Sequence, residues 1–341
     1  MYLLRSVIES DLDDLFRLSK LVTFINLPSD KDGIRQKIKR SLISFENKSK
    51  SKNKSNDYFI FVIQEIESRV IIGASMIHAQ HGTEDEPHFF LTVSQENKFS
   101  STINTGFIHG TLKLGVDING PTEIGGLILN AKFRGQPLKL GKQISFVRFL
   151  YMALFPDKFK EIVHSELMPP FDSEGNSPLW EAIGRRFMNM DYHEADLLSR
   201  DNKEFIINLY PSEVIYETLL PLEARNSIGK VGNDTKPVKK MLESIGFKYT
   251  NEVDPFDGGP HYRCPLKEIT LVKSLNNYKI EVCDDNNDFD DFRILSLENE
   301  KYQFCAAMVS GHIQQDLFKI SHHTYEKFEL EKGKVYKGIN F

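Results

Sequence analysis

The side chains that can carry out chemistry are dispersed along this sequence and form no complete catalytic signature. The ten histidines are scattered, and the adjacent pair His322-His323 lacks the third spaced ligand that a metal site needs. GxSxG, P-loop and dinucleotide-binding fingerprints are absent from the sequence. These patterns do not support a hydrolase, an NTPase or a dehydrogenase, and we expect neither a metal site nor a permanently bound cofactor.

One stretch combines elements in an order that is informative about function. It contains an apolar strand, a loop with two glycines and an arginine, a helix with an apolar face, and a second strand. These are Glu123–Leu129, the loop with Arg134, Gly135 and Gly141, Gln143–Leu154 and Ile162–Glu166. This order of strand, glycine-bearing loop, helix and strand is the most informative pattern in the sequence.

Composition limits the classes of partner. The 341 residues suggest about two domains. There are 43 Lys and Arg against 48 Asp and Glu, so the net charge of −5 lacks the basic excess of a nucleic-acid-binding protein. The three cysteines show no CxxC spacing, and the first residues do not read as a signal peptide. We therefore expect a cytoplasmic protein without a nucleic-acid or membrane partner.

The elements before this stretch predict a mixed α and β domain. Strands are predicted at Tyr2–Val7, Tyr58–Ile63, Val70–Ile77 and Phe89–Val93, with helices from Ser10 and over Lys31–Phe45. The last three strands suggest an antiparallel meander. The polar segment Asn47–Asn56 predicts a loop, because it has too few apolar groups to offset the entropy of ordering.

The elements after this stretch are mostly helical and then mostly extended. Helices are predicted over Asn176–Phe187, Glu213–Leu220 and Pro237–Ile245, followed by a strand at Phe247–Thr250. The remainder, from about Lys273, alternates short β-like runs with turns. The predicted fold class is α+β, with one domain over residues 1–270 and a small β-rich domain over residues 271–341.

Several segments match a known family pattern. In chain order they are Leu27-Pro28, EIGGLIL (123–129), Phe133-Arg134, VRFLYMALF (147–155), Asp157–Phe159, GNSPLW (175–180), GRRF (184–187), Met190-Asp191, Ala195-Asp196, Ile228-Gly229 and FDGGP (256–260). With these segments the chain resembles the arginine N-succinyltransferase family, which transfers succinyl from succinyl-CoA to the α-amino group of arginine or, in some cases, ornithine. The resemblance implies an acyl-CoA N-acyltransferase (GNAT) fold with an extra C-terminal β-barrel.

The resemblance also implies an acyl-CoA site. The backbone at Leu127 on the central strand would contact the succinyl-CoA carbonyl, and backbone amides at the following helix N-terminus would face the pyrophosphate. The loop is longer than the family pattern, and Pro137 removes one amide donor. Its candidate CoA-binding residues are Arg134, Gly135, Lys139, Gly141 and Lys142, where the lysines add charge-assisted contacts. Succinyl-CoA, or another acyl-CoA, is the expected co-substrate.

The catalytic groups are less directly implied. The histidine that the family is thought to use as proton donor falls on Gly232, which cannot donate a proton. Tyr192 and His193 are the candidate replacements, and Glu123 is a candidate general base acting through water. Each also has an ordinary interpretation, as a surface or structural side chain or as a solvated carboxylate at a strand end.

The acceptor amine needs anionic partners. Asp191 and Asp257 are candidates to bind its guanidinium or amino group, although Asp257 lies in a turn where its side chain could instead bond local amides. The sequence thus predicts succinyl transfer to arginine or ornithine in arginine catabolism, by a protein that forms oligomers. Two alternatives stay open: a GNAT enzyme with another acyl or amine specificity, and a catalytically silent homologue that acts as a binding or regulatory subunit.

Overall fold

The computed structural model describes residues 1–21, 27–47, 54–199, 202–283, 289–315 and 317–341. The segment predicted as a polar loop falls largely on residues 48–53, outside the described residues. The described strands are β1 (Tyr2–Ser6), β2 (Tyr58–Glu65), β3 (Ile71–His78), β4 (His88–Ser100), β5 (Thr105–Asp117), β6 (Thr122–Leu129), β7 (Ile162–Glu166), β8 (Ile215–Tyr216), β9 (Lys248–Val253), β10 (Pro260–Pro265), β11 (Asn276–Cys283), β12 (Asp291–Leu297), β13 (Cys305–Gln314), β14 (Leu317–Ser321) and β15 (Val335–Asn340).

The described α-helices are α1 (Leu12–Ser19), α2 (Lys31–Glu46), α3 (Leu140–Leu154), α4 (Pro178–Ala182), α5 (Gly184–Met188), α6 (Tyr192–Leu198), α7 (Glu204–Leu209), α8 (Leu222–Ser227), α9 (Lys236–Ser244), α10 (Thr270–Lys273) and α11 (His322–Lys327). In the described part of the chain, no helix is both long enough and apolar enough to cross a membrane.

The chain folds into two compact units, and the chain passes between them more than once. Unit 1 contains residues 1–79, 122–161 and 265–341, and unit 2 contains residues 80–121 and 162–264. These units do not follow the division predicted at residue 270. The reason is strand pairing: β13 from the C-terminal region pairs with β1 at Leu4↔Ala306 and Arg5↔Cys305, so the C-terminal strands pack with the N-terminal ones.

Unit 1 contains an antiparallel run of strands in the order β1, β2, β3, β6. Strands β2 and β3 are apolar and buried along most of their length, as expected for interior strands. The predicted meander is correct for β2 and β3 but wrong for the third strand. The second neighbour of β3 is β6, whereas Phe89–Val93 belongs to β4 in unit 2.

The C-terminal strands of unit 1 close into a five-stranded barrel. Neighbouring pairs run β12–β15, β15–β11, β11–β14, β14–β13 and β13–β12, which returns to the first strand. Closure leaves no free sheet edge within the ring. Its interior is a separate apolar cluster that includes Leu295, Ala307 and Phe318, all 0% exposed. The β-rich C-terminal module predicted from the sequence is this barrel.

Unit 2 is built on a six-stranded sheet in the order β7, β10, β9, β4, β5, β8. Its apolar core surrounds Trp180, which is 0% exposed and stacks on Phe256 with ring centroids 4.8 Å apart. The Ser177 hydroxyl accepts a hydrogen bond from the Trp180 amide at 3.0 Å, and Pro178 follows at the first helical position. The predicted helix start is therefore confirmed.

The helix predicted at Glu213–Leu220 is wrong. The chain there forms the two-residue strand β8 and one turn of 3-10 helix at Glu217–Leu219. Ile215 pairs with Leu112 and Tyr216 with Thr111 on the edge of β5. Pairing with this sheet edge outweighs local helix propensity, which is weak for a segment rich in β-branched and aromatic residues.

Candidate functional site

Strand β6 carries a β-bulge where the sequence predicts contact with the acyl group. On β3, Ala74 faces Ile128 and Met76 faces Gly125, so two residues of β6, Gly126 and Leu127, lie opposite one residue of β3. Gly126 has φ +55°, and a Cβ there would lie 2.6 Å from Met76 Sδ. Glycine is therefore required at this position. A bulge interrupts the regular ladder, which leaves backbone groups at Gly126 and Leu127 available to a ligand.

The glycine-bearing loop connects this strand to the N-terminus of α3. Arg134 Nε donates a hydrogen bond to the Leu129 carbonyl at 3.1 Å, which folds the start of the loop back on β6. Gly135 has φ +70° and Lys139 has φ +50°, and α3 begins at Leu140, three residues before the predicted start. A Cβ at Gly141 would contact only Leu129 Cδ2, at 3.8 Å. The first turn of α3 is thus open around Gly141.

The basic residues of the loop differ in their surroundings. Arg134 and Lys139 are exposed. The Lys142 ammonium lies 4.9 Å from the ring centroid of Phe146 and 4.5 Å from that of Phe341. Burial, with the nearby charge of Lys139 as a smaller cause, lowers the pKa of Lys142. The structure therefore brings Arg134, Gly135, Lys139 and Gly141 together in one loop, while Lys142 is engaged with aromatic rings.

Glu123 lies at the start of β6, opposite His78 on β3. Its side chain is buried, at 9% exposure, in contrast to the solvated strand-end carboxylate of the ordinary interpretation. Burial and the charge of Glu123 raise the pKa of Tyr58. The Glu123 carboxylate is therefore largely removed from bulk solvent.

In unit 2, both candidate aspartates bond local amides. Asp191 Oδ1 accepts from the Glu194 amide at 2.8 Å and caps α6. Asp257 Oδ1 accepts from the Gly259 amide at 2.7 Å within the FDGGP turn. The neighbouring candidates differ in exposure: Tyr192 is half-buried and His193 is exposed. These contacts are the ones expected from the ordinary interpretation of Asp257.

Tyr192 is electrostatically linked to the carboxylates of the FDGGP turn. Burial, then the charge of Glu166, raises the pKa of Asp254 to about 7. Burial and the charge of Asp254 raise the pKa of Asp257 well above its usual value. Burial and the charge of Asp257 in turn raise the pKa of Tyr192. The phenol of Tyr192 therefore keeps its proton at neutral pH and is a hydrogen-bond donor there.

The position that corresponds to the family histidine is tightly enclosed by backbone. The Gly232 amide donates to the Met168 carbonyl at 2.9 Å. A Cβ at Gly232 would lie 2.8 Å from the Pro169 carbonyl oxygen. Because backbone cannot move aside as a flexible side chain can, this main-chain conformation has no room for a histidine at residue 232.

Three histidines and a glutamate come together in unit 2, which the sequence analysis did not predict. Glu166 Oε1 lies 3.2 Å from His164 Nε2, 3.6 Å from His88 Nδ1 and 3.8 Å from His261 Nε2. The histidines are 0–2% exposed, whereas the Glu166 side chain is 33% exposed. Burial lowers the pKa of His164 to about 4 and that of His88 well below its usual value, so both rings are neutral.

This cluster depends on sheet order. Its members lie on β4, β7 and β10, and β9 separates β4 from β10. Residues so far apart in the sequence meet only once the sheet is formed. The signal available in the sequence was the strand spacing His164-x-Glu166, which puts both side chains on one face of a strand.

Comparison with known proteins places the chain in a family. A family model described as "Arginine N-succinyltransferase beta subunit" matches residues 2–271. The chain is 31% identical over 305 residues to the arginine N-succinyltransferase of Escherichia coli O1:K1 / APEC, covering 89% of this chain and 86% of that protein. The same identity and coverage apply to the arginine N-succinyltransferase of Shigella dysenteriae serotype 1.

A solved structure has the same fold. It is the arginine/ornithine succinyltransferase subunit AI from Pseudomonas aeruginosa, with a TM-score of 0.85 and 23% identity, covering 100% of this chain and 98% of that chain. This likeness confirms the predicted α+β fold class with its C-terminal barrel. Together with the sequence matches it establishes that this chain belongs to the arginine N-succinyltransferase family.

Proposed function

We propose that this protein is an N-acyltransferase that moves succinyl from succinyl-CoA to the α-amino group of arginine, or of ornithine. The observation that carries the proposal is the 31% identity, over 89% of the chain, to an enzyme named arginine N-succinyltransferase. The bulge in β6 and the open N-terminal turn of α3 supply features that an acyl-CoA thioester needs: free backbone groups and a positively polarised helix end.

The reaction makes one amide bond and breaks one thioester bond. The neutral amine nitrogen attacks the carbonyl carbon, the carbon–sulfur bond breaks, the amine loses a proton and the departing thiolate gains one. We assign stabilisation of the developing oxyanion to the backbone at Leu127, beside the bulge. We assign the pyrophosphate to the loop residues Arg134, Gly135, Lys139 and Gly141, with Lys142 in a supporting position on α3.

The proton steps fall to side chains other than residue 232. We propose Tyr192 as the donor to the leaving thiolate, because its phenol carries a proton at neutral pH and can hydrogen-bond to the sulfur as charge develops there. His193 is the alternative donor, and its exposure makes it the weaker one. Glu123 is the proposed base that accepts the amine proton through water. Asp191 and Asp257 are the proposed contacts of the basic acceptor, through the carboxylate oxygen that the local hydrogen bonds leave unused.

Assembly and location are also proposed. The matching family model describes a beta subunit and the similar solved structure is called subunit AI, and on that basis we propose that this chain works in an oligomer. We propose a cytoplasmic location, which is consistent with three cysteines that form no disulfide bond among the described residues.

The test is release of free CoA thiol with succinyl-CoA or acetyl-CoA as donor and arginine, ornithine or lysine as acceptor. We expect release to depend on both succinyl-CoA and arginine or ornithine. Tyr192→Phe should lower kcat by about 10²–10⁴-fold with little change in KM, whereas His193→Gln, the adjacent matched control, should retain activity. CoA binding without thiol release for any acceptor would identify a silent subunit and contradict the proposal.

A further inference from the structure

We propose that His88, His261 and Glu166 of unit 2 bind a divalent first-row transition metal ion, such as Zn²⁺, and that His164 orients the Glu166 carboxylate. These residues lie in unit 2, and the candidate CoA loop lies in unit 1. Each of the four side chains offers a ligand atom, and these atoms all lie within 4.8 Å of one another.

The spacing of these atoms matches a metal-binding arrangement. Metal–nitrogen and metal–oxygen bonds of about 2.0–2.1 Å put neighbouring ligand atoms of a tetrahedral site about 3.3 Å apart. The distances from Glu166 Oε1 to His88 Nδ1 and His261 Nε2 are 3.6 and 3.8 Å. Small side-chain rotations are therefore enough to bring the three ligands to bonding distance of one ion.

The hydrogen-bond state of the histidines independently indicates a ligand. Both ring nitrogens of His261 and Nε2 of His88 are buried without a hydrogen-bond partner among the described residues. Buried imidazoles normally satisfy these atoms, because an unpaired polar group loses its hydration without compensation. A metal ion at this position would supply the missing interaction at His261 Nε2, the ring nitrogen that faces Glu166, which a purely structural packing of the ring does not.

The surroundings of His261 fit a metal ligand. Its Nδ1 lies 3.8 Å from Glu252 Oε2, on the side of the ring opposite to Glu166. Metal-binding histidines commonly direct their second nitrogen at a carboxylate, which fixes the tautomer and increases the basicity of the ligand nitrogen. Arg263 Nη2 lies 2.9 Å from the same Glu252 oxygen and forms an ion pair with it.

His164 has a different role because of its hydrogen bonds. Arg263 Nε donates to His164 Nδ1 at 3.2 Å, so the neutral ring carries its proton on Nε2. That proton faces Glu166 Oε1 at 3.2 Å. A protonated nitrogen cannot bind a metal ion, but it can donate to the carboxylate and orient it. His164 is therefore a positioning residue.

The ligand set indicates the class of metal and leaves room for a further ligand. Two imidazoles and one carboxylate are typical of Zn²⁺ and Fe²⁺ sites that keep open coordination positions, and they are unlike the all-oxygen sites of Mg²⁺ and Ca²⁺. Glu166 is 33% exposed, so the site can be reached from solvent on the side of this carboxylate.

The experiment is metal analysis of the full chain, purified without an affinity tag and dialysed against Zn²⁺ and, separately, against Co²⁺. We expect about one equivalent of metal per chain and, with Co²⁺, visible absorption bands of a low-symmetry site. His261→Gln and His88→Gln should abolish stoichiometric binding. His164→Gln should retain the metal with about 10–100-fold weaker affinity, as found for residues that orient ligands. His323→Gln, an exposed histidine on α11, is the matched control and should bind like the unmodified protein.

If a variant of a buried histidine folds poorly, two further measurements still test the proposal. Glu166→Gln changes the partly exposed ligand with little change in shape and should weaken Zn²⁺ binding at least about tenfold. Zn²⁺ should raise the Tm of the unmodified protein but not that of Glu166→Gln, since a ligand stabilises only the state that binds it. No metal above background in the unmodified protein, or equal binding by the His88, His261 and Glu166 variants, would overturn the proposal.

Discussion

At the residue scale, the open space around Gly141 makes it a selective probe of the CoA site. Among the described residues, a Cβ there would contact only Leu129 Cδ2, at 3.8 Å, so we expect Gly141→Glu to fold normally. Its carboxylate would lie in the first turn of α3 and repel the pyrophosphate, which should weaken CoA binding by about tenfold or more.

Calorimetric titration with CoA measures the Gly141 effect. Gly141→Ala is the control and should bind CoA nearly as well as the unmodified protein, because it adds a methyl group without charge. Equal CoA affinity in Gly141→Glu and Gly141→Ala would show that the phosphates bind elsewhere.

Also at the residue scale, Asp254 makes stability depend on pH. Its folded-state pKa of about 7 lies above the ordinary value of 3.8, so the folded state holds a proton that the unfolded chain releases. The stabilising contribution of Asp254 to the free energy of unfolding is thus fully present below about pH 4 and is lost as the pH rises through about 7. Asp254→Asn removes this titration and keeps an oxygen that can accept from the Phe256 and Asp257 amides.

We therefore expect the unfolding free energy of Asp254→Asn, relative to the unmodified protein, to increase from pH 4 to pH 7.5. Urea unfolding of both proteins at several pH values measures the difference. Groups that do not interact with Asp254 cancel, and the smaller rise in the pKa of Asp257 in the variant acts in the same direction. A difference that stays constant or falls with pH would show that Asp254 ionises normally in the folded protein.

The residues of the candidate site were only partly predictable. The candidate CoA loop is continuous in sequence, so the connection from β6 to α3 could be predicted from local patterns, although α3 begins three residues before the predicted start. The His88, Glu166 and His261 group comes from three strands, and only the pairing order of the sheet brings it together. The buried state of Glu123 likewise depends on neighbours distant in the sequence, so it was expected to be solvated.

At the element scale, the bulge in β6 is the feature most open to test. Gly126→Ala would combine the unfavourable φ of +55° with a Cβ placed 2.6 Å from Met76 Sδ. We expect a loss of about 2–4 kcal/mol in unfolding free energy, from strain and displaced packing together. Because the bulge also presents Leu127, kcat should fall more than the loss of folded protein explains.

Gly135→Ala is the matched control for the bulge. It has a similar φ of +70°, but a Cβ there meets nothing within 4 Å. The unfolding free energy of Gly135→Ala should fall by only about 1 kcal/mol, because conformational strain is the only cost. Urea unfolding compares the two variants, and thiol release measures the kcat of Gly126→Ala. Equal losses of unfolding free energy in both variants would contradict a specific role for the bulge.

The elements themselves were predicted best where their pattern is local and apolar. The predicted strand Ile162–Glu166 and the helix from Lys31 match β7 and α2 closely. The helix was identified from apolar residues at helical spacing, such as Ile34, Ile38 and Phe45. Only the first part of β4 was identified, and β5 was missed. The outer halves of these strands are exposed, with Phe99, Phe107 and Ile108 included, so they pair with each other without a buried face to mark them.

At the scale of the whole molecule, the C-terminal region is part of unit 1 rather than an independent addition. β13 pairs with β1, and Phe304 packs edge-on against Phe61 and Tyr151 with ring centroids 5.7 and 5.1 Å apart. We expect a chain that ends at residue 270 to lose cooperative unfolding, because it exposes this edge of β1 and these rings. The free energy of unfolding of a folded protein is typically only about 5–15 kcal/mol, so we expect the shortened chain, without these contacts, to have no stable fold.

Circular dichroism during urea unfolding compares the chain ending at residue 270 with the full chain. The division at residue 270 was predicted from a change in local pattern, which reveals where strands become short but not which strands they pair with. A cooperative unfolding transition in the shortened chain would contradict this expectation and show that residues 1–270 fold as an independent domain.

The central claim is succinyl transfer to the α-amino group, and mass spectrometry of the product tests it most directly. The full chain is incubated with succinyl-CoA and arginine, and the product is fragmented to locate the new amide. We predict a single succinyl group on the α-nitrogen, formed only with enzyme and only with succinyl-CoA. Absence of any succinylated arginine from protein that binds CoA, or a succinyl group on another nitrogen, would contradict the account.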